Sequence, residues 1–164
     1  MKQLLIIRHA KSSWDFSVMN DFDRPLNERG HADAPKMAKR LLDKKIDIDA
    51  FISSAAKRAL TTATYFAETY DVKKKDIIKV DELYHAPVKM FYTVITTINN
   101  KYNTVAIFSH NPGITDFVNE LTDTSIDNMP TCGIYAIAIN TNDWKNFRTA
   151  GKDFLFFDYP KNVQ

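Results

Sequence analysis

The chain has 164 residues, of which 45% are apolar and 26% charged, a balance that excludes disorder by composition and suits a single buried core. The net charge of +2 is too mild to argue for a nucleic-acid partner, and the one cysteine, Cys132, excludes an intrachain disulfide framework and points to a reducing compartment. No apolar run reaches the roughly 18 residues of a membrane span, and the run Leu4–Ile7 is too short for a signal-peptide core. The expectation is one domain over residues 1–164, monomeric and cytoplasmic, with neither membrane nor nucleic-acid partners.

In chain order, the first element is a strand at Gln3–Ile7, continuous rather than alternating and so buried on both faces. A helix follows over Ala32–Lys44, with Met37, Leu41 and Leu42 on one face. Pro35 lies inside it and demands either a first-turn position or a kink. A short strand at Ala50–Ile52 leads into a helix at Ala56–Thr69. A third strand, Ile77–Val80, precedes a helix at Val88–Asn99. The fourth strand, Val105–Phe108, runs into Asn111 and Pro112, which suggest an N-cap and first helical residue for a helix over Ile114–Leu121. Two last strands, Ile134–Ile139 and Phe154–Asp158, have no long helix between them and suggest an antiparallel edge. Strand–helix repetition predicts a three-layer α/β/α sandwich with a mostly parallel central sheet.

In such sheets ligands bind beyond the carboxyl ends of the strands. There the chain places Arg8 and His9, then Arg58, then Glu82 and His85, then His110. Two guanidinium forks and an imidazole donor make an anion site, and phosphate fits it best. A second imidazole can be a nucleophile, and a carboxylate can move a proton. Metal ligation through His9, His110 and Glu82 is disfavoured because two arginines would stand beside the cation, so no metal or other cofactor is expected.

Five segments carry a resemblance: RHA at 8–10, RPLNERG at 24–30, SSAAKRALTTA at 53–63, DELYHA at 81–86 and FSHNPGI at 108–114. In this order they resemble the histidine phosphatase (phosphoglycerate mutase-like) superfamily, and the short chain is most similar to its small SixA-type phosphohistidine phosphatases. The resemblance implies that His9 takes the phosphoryl group and that Arg8, Arg58 and His110 bind its oxygens. It places Glu82 where many members keep a general acid. Ser12 and His85 are further candidates for substrate contact; Lys11 and Ser13 share the loop after the nucleophile. Trp14 reads better as a packing anchor than as a substrate platform, and Cys132 as an inert thiol. The gaps Arg58–Glu82 and Glu82–His110 each hold one helix and one strand, leaving no room for a cap insertion. The implied function is a metal-independent phosphatase with an open site, acting on protein phosphohistidine. A small-molecule phosphomonoesterase and a catalytically silent phosphate-binding module are the alternatives.

Overall fold

The computed structural model of the chain describes residues 1–15 and 20–163. Its elements run β1 (Lys2–Arg8), α1 (Glu28–Asp43), β2 (Ala50–Ser53), α2 (Lys57–Thr69), β3 (Ile78–Lys79), α3 (Val88–Ile95), β4 (Thr104–Ser109), α4 (Gly113–Val118), β5 (Ile134–Ile139) and β6 (Lys152–Asp158). They build one six-stranded sheet in the order β3-β2-β4-β1-β5-β6. Strands β3, β2, β4 and β1 are parallel, while β5 runs antiparallel to β1 and β6 antiparallel to β5. The sandwich and the antiparallel edge are those expected from the sequence.

Each central strand feeds two cores, because successive side chains point to opposite faces. Leu4 and Ile6 of β1, with Val105 and Ile107 of β4, pack under α3 and α4. Leu5 and Ile7, with Ala106 and Phe108, pack under α1 and α2. Burial of each such aliphatic side chain contributes about 1.5–3 kcal/mol. Phe91 of α3 stacks on Phe117 of α4 with centroids 4.8 Å apart. On the other face, Met37, Ala38 and Leu41 of α1 share the core with Ala63, Phe66 and Ala67 of α2.

Helix boundaries differ from expectation, among them the end of α4, which stops at Val118 rather than Leu121. Helix α1 starts at Glu28, because the Asn27 side chain accepts the Gly30 N–H and caps a first turn that carries no apolar periodicity. Pro35 therefore sits beyond the first turn, inside α1. Helix α3 ends at Ile95, where Thr97 turns its hydroxyl back onto the Val94 carbonyl and its N–H onto the same group. Asn111 is not the cap of α4: Pro112 holds that place, and the Asn111 side chain instead bonds Thr115, Asn128 and Met129. No helix among the described residues is long and apolar enough to cross a membrane.

Candidate active site

The β1–β4 register pairs Arg8 with Ser109, which carries His9 and His110 off adjacent strand ends side by side. Their ring centroids are 5.2 Å apart. The His9 N–H donates to the Ser109 carbonyl, and the Cys132 N–H reaches the carbonyls of both Arg8 and His9. On the far side, Thr62 of α2 accepts the Ala10 N–H at 2.9 Å and donates to the Arg58 carbonyl at 2.8 Å. The backbone around His9 is thus tied to β4, to the 132–133 turn and to α2.

The side chain of His9 is fixed as tightly. Its Nδ1 lies 2.7 Å from the Ala10 carbonyl oxygen. A carbonyl only accepts, so Nδ1 carries the proton and Nε2 keeps the lone pair. Burial above all, and the guanidiniums of Arg8, Arg58 and Arg24, push this imidazole down to about 3, against the upward pull of the Ala10 bond. At neutral pH it is uncharged, with an Nε2 lone pair that can act as a nucleophile. Burial, His9 and Arg58 lower His110 to about 2. His110 Nε2 lies 2.8 Å from Ser54 Oγ, which accepts the Ala56 N–H and so has its own proton to give. With the Ser54 hydroxyl donating to Nε2, His110 carries its proton on Nδ1 and can donate it.

Three buried nitrogens have no hydrogen-bond partner among the described residues: Arg8 Nε, Arg58 Nε and His110 Nδ1. All belong to residues lining one cavity of about 290 Å³, together with His9. Buried donors are satisfied in nearly all folded proteins, so three orphans around one hollow mark a place built for an acceptor-rich anion. Arg8 is itself half-fixed, with Nη1 on the Met129 carbonyl.

Asp21 organises the opposite wall. Its carboxylate meets Arg58 Nη2 at 3.1 Å, Arg24 Nε at 3.1 Å, the Tyr84 hydroxyl at 2.5 Å and His85 Nε2 at 3.6 Å. Its backbone carbonyl takes Arg58 Nη1. Partial burial raises its proton affinity, but the Tyr84 hydroxyl and the Arg58 charge prevail and hold it at about 2. Asp21 is therefore an ionised anchor for Arg58 and Arg24 rather than a proton donor.

The cavity brings together Arg8, His9, Ser12, Arg58, His85 and His110. Ser12 is buried and bridges Leu26 across the loop. His85 sits in the left-handed region with φ of 54°, an uncommon strain for a non-glycine residue, and leans on Tyr84 at 4.0 Å. Glu82 is not among the lining residues: its 3₁₀ turn, Asp81–Leu83, buries Leu83 and leaves Glu82 exposed with no hydrogen bond to any described residue. The carboxylate that reaches the cavity is Asp21. Trp14 is 60% exposed rather than buried, and the Arg24 guanidinium lies 3.7 Å from its ring centre at the cavity rim. Cys132 is fully buried, and burial raises its thiol.

Sequence reasoning missed Asp21, Arg24, Thr62 and Tyr84. For Asp21 and Arg24 the available signal is the acid–base pair at i, i+3 in DFDR; Thr62 and Tyr84 act through contacts far apart in the chain.

The model of the histidine phosphatase superfamily (branch 1) matches residues 4–86. An uncharacterized chloroplastic protein of Arabidopsis thaliana is 28% identical over 162 residues, covering 88% of this chain and 69% of its own. A 2,3-bisphosphoglycerate-dependent phosphoglycerate mutase of Bartonella tribocorum is 33% identical over 82 residues, 48% of this chain and only 39% of that enzyme. Among solved structures, the protein histidine phosphatase SixA complexed with tungstate superposes with a TM-score of 0.82 at 22% identity, over 99% of each chain. The match over residues 4–86, just over half the sequence, shows that this chain belongs to the histidine phosphatase superfamily.

Proposed function

We propose that the chain hydrolyses phosphohistidine on proteins through a phosphorylated His9. The observation that carries the reading is the neutral, Nε2-free imidazole of His9 beside the three orphaned donors of Arg8, Arg58 and His110. Nε2 attacks phosphorus, the bond from phosphorus to the leaving nitrogen breaks, and its electron pair returns to the leaving imidazole. Arg8, Arg58 and His110 hold the oxygens as charge shifts across them. Water then attacks the phosphorus of phospho-His9, releasing inorganic phosphate and restoring the imidazole.

The leaving group supports nitrogen over alkyl oxygen. An alkoxide needs a proton as it departs, yet Asp21 stays ionised and Glu82 stands clear of the cavity. A phosphorylated imidazole that already carries a ring proton leaves as neutral imidazole and needs no acid. Access agrees with a macromolecular substrate. Between Arg58 and His110 the chain holds only α2, β3, α3, β4 and short turns, with no cap inserted. The SixA structure that shares this fold is a protein histidine phosphatase complexed with tungstate, and the same substrate class is proposed for this chain.

The test compares wild type with His9→Ala on phosphohistidine, p-nitrophenyl phosphate and glycerol phosphate. Wild type is expected to turn over the first two and to leave glycerol phosphate nearly untouched. His9→Ala is expected to lose at least a thousandfold on both active substrates. Equal rates in wild type and variant overturn the enzyme reading. Efficient glycerol phosphate turnover overturns the leaving-group argument in favour of a small-molecule phosphomonoesterase.

A further inference from the structure

A second groove of about 470 Å³ opens beside the cavity and shares Arg8, Lys11 and Thr131 with it. Its charged lining is Arg8, Lys11, Arg29, Lys36 and Lys161 against the single carboxylate of Asp33. That carboxylate is already engaged, 3.4 Å from Arg29 Nε. The chain as a whole carries only +2, so four uncompensated cations on one groove are a marked local excess.

The groove is built rather than incidental. Its near wall is fixed where Gly30 of α1 meets the Lys11 carbonyl so closely that a Cβ there would lie 2.2 Å from the oxygen. The Asn27 N–H also donates to that carbonyl. Its floor is tied by Arg29 Nη2 to Thr131 Oγ1 at 3.2 Å. Its far wall, Tyr159–Lys161, hangs from Arg40. That one guanidinium bonds the Asp158 carboxylate and the carbonyls of Tyr159, Pro160 and Asn162. None of these groups is used in the chemistry at His9.

The other flank of the cavity differs. There the groove that shares His85, His110 and Asn111 carries Asp116 and no lysine or arginine. The two sides of the reacting centre therefore have opposite electrostatic character.

We propose that the basic groove binds an acidic segment of the substrate protein next to its phosphorylated histidine, and so selects the substrate and sets its direction across the site. This rests on the phosphohistidine reading above and names the part of the substrate that reading leaves open. Carboxylates from such a segment meet Lys36, Lys161 and Arg29, while the phosphoryl group sits with Arg8, which belongs to both sites.

The experiment uses the full chain and the double charge reversal Lys36→Glu with Lys161→Glu, both exposed residues outside the cavity. Substrates are two phosphohistidine peptides, one with three flanking glutamates and one with glutamines, and phosphoramidate, which has no flank. Wild type is expected to prefer the acidic peptide by about tenfold in kcat/KM at low salt, with the preference shrinking as salt rises. The variant is expected to lose that preference while keeping phosphoramidate turnover within about twofold. No wild-type preference, or an equal loss on all three substrates, overturns the groove. A separate arm adds a small bisphosphate: its preference over phosphoramidate, with none between the peptides, also overturns the groove, in favour of a small second anion. If no substrate turns over, the activity reading fails alone. The groove is then read by calorimetric binding of the same peptides carrying a phosphonate mimic of phosphohistidine, where equal affinity for wild type and variant overturns it.

Discussion

Asp21 touches four polar side chains, whereas Glu82 touches none among the described residues. Removing the charge of Asp21 takes away the anchor that orients the Arg58 fork and one partner of the buried Arg24. Asp21→Asn is therefore expected to lower kcat/KM on phosphoramidate at least tenfold, and Glu82→Gln to change it less than threefold. Steady-state kinetics on the two variants check this, and the reverse ranking would restore Glu82 as the proton donor. Arg8, His9, Arg58 and His110 were legible in the sequence because each directly follows a strand or opens the next helix. Asp21 was not, because its turn spans only Asp21–Asp23 and its partners come from Arg24, Arg58, Tyr84 and His85.

Helices position the site through close approaches that few residues permit. At the start of α4, a Cβ on Gly113 would stand 1.9 Å from the Ala86 carbonyl oxygen, in the groove that His85 also lines. The backbone, not a flexible side chain, would have to move. Gly113→Ala is expected to destabilise the fold by roughly 1–3 kcal/mol and to shift the His85 corner. Urea denaturation reads the first effect; the second is read as a lower kcat/KM in the fraction that remains folded. Strand positions and the alternation of strands with helices followed from the apolar pattern. Helix ends did not, because Asn27 and Thr97 decide them through single hydrogen bonds that hydrophobic periodicity does not record.

For the molecule as a whole, the buried pair His9 and His110 links stability to pH. Both imidazoles are depressed, to about 3 and about 2, while an unfolded histidine titrates near 6.5. Between those values the unfolded chain binds more protons, so stability falls as the pH drops below about 6.5, by up to about 1.4 kcal/mol per unit for each histidine. Asp21, lowered to about 2, adds to the loss only below about pH 4. The thermal midpoint is expected to drop steeply from pH 7 to pH 5, and less steeply in His110→Asn. Turnover per folded molecule should hold over the same range, since His9 stays neutral. A midpoint that is flat across this range would contradict the depressed imidazoles. The alignment of Arg8 with Ser109 across β1 and β4 carries a different kind of constraint. Side chains alternate faces, so one residue inserted into β1 would hand Leu4 and Ile6 to the wrong core, one inserted into β4 would do the same to Val105 and Ile107, and either would turn one histidine away from the other. Exchange of one aliphatic residue for another in these strands costs about 1 kcal/mol. In these two strands length is thus held far more strictly than composition, and descendants of this chain should vary in size only at the loops.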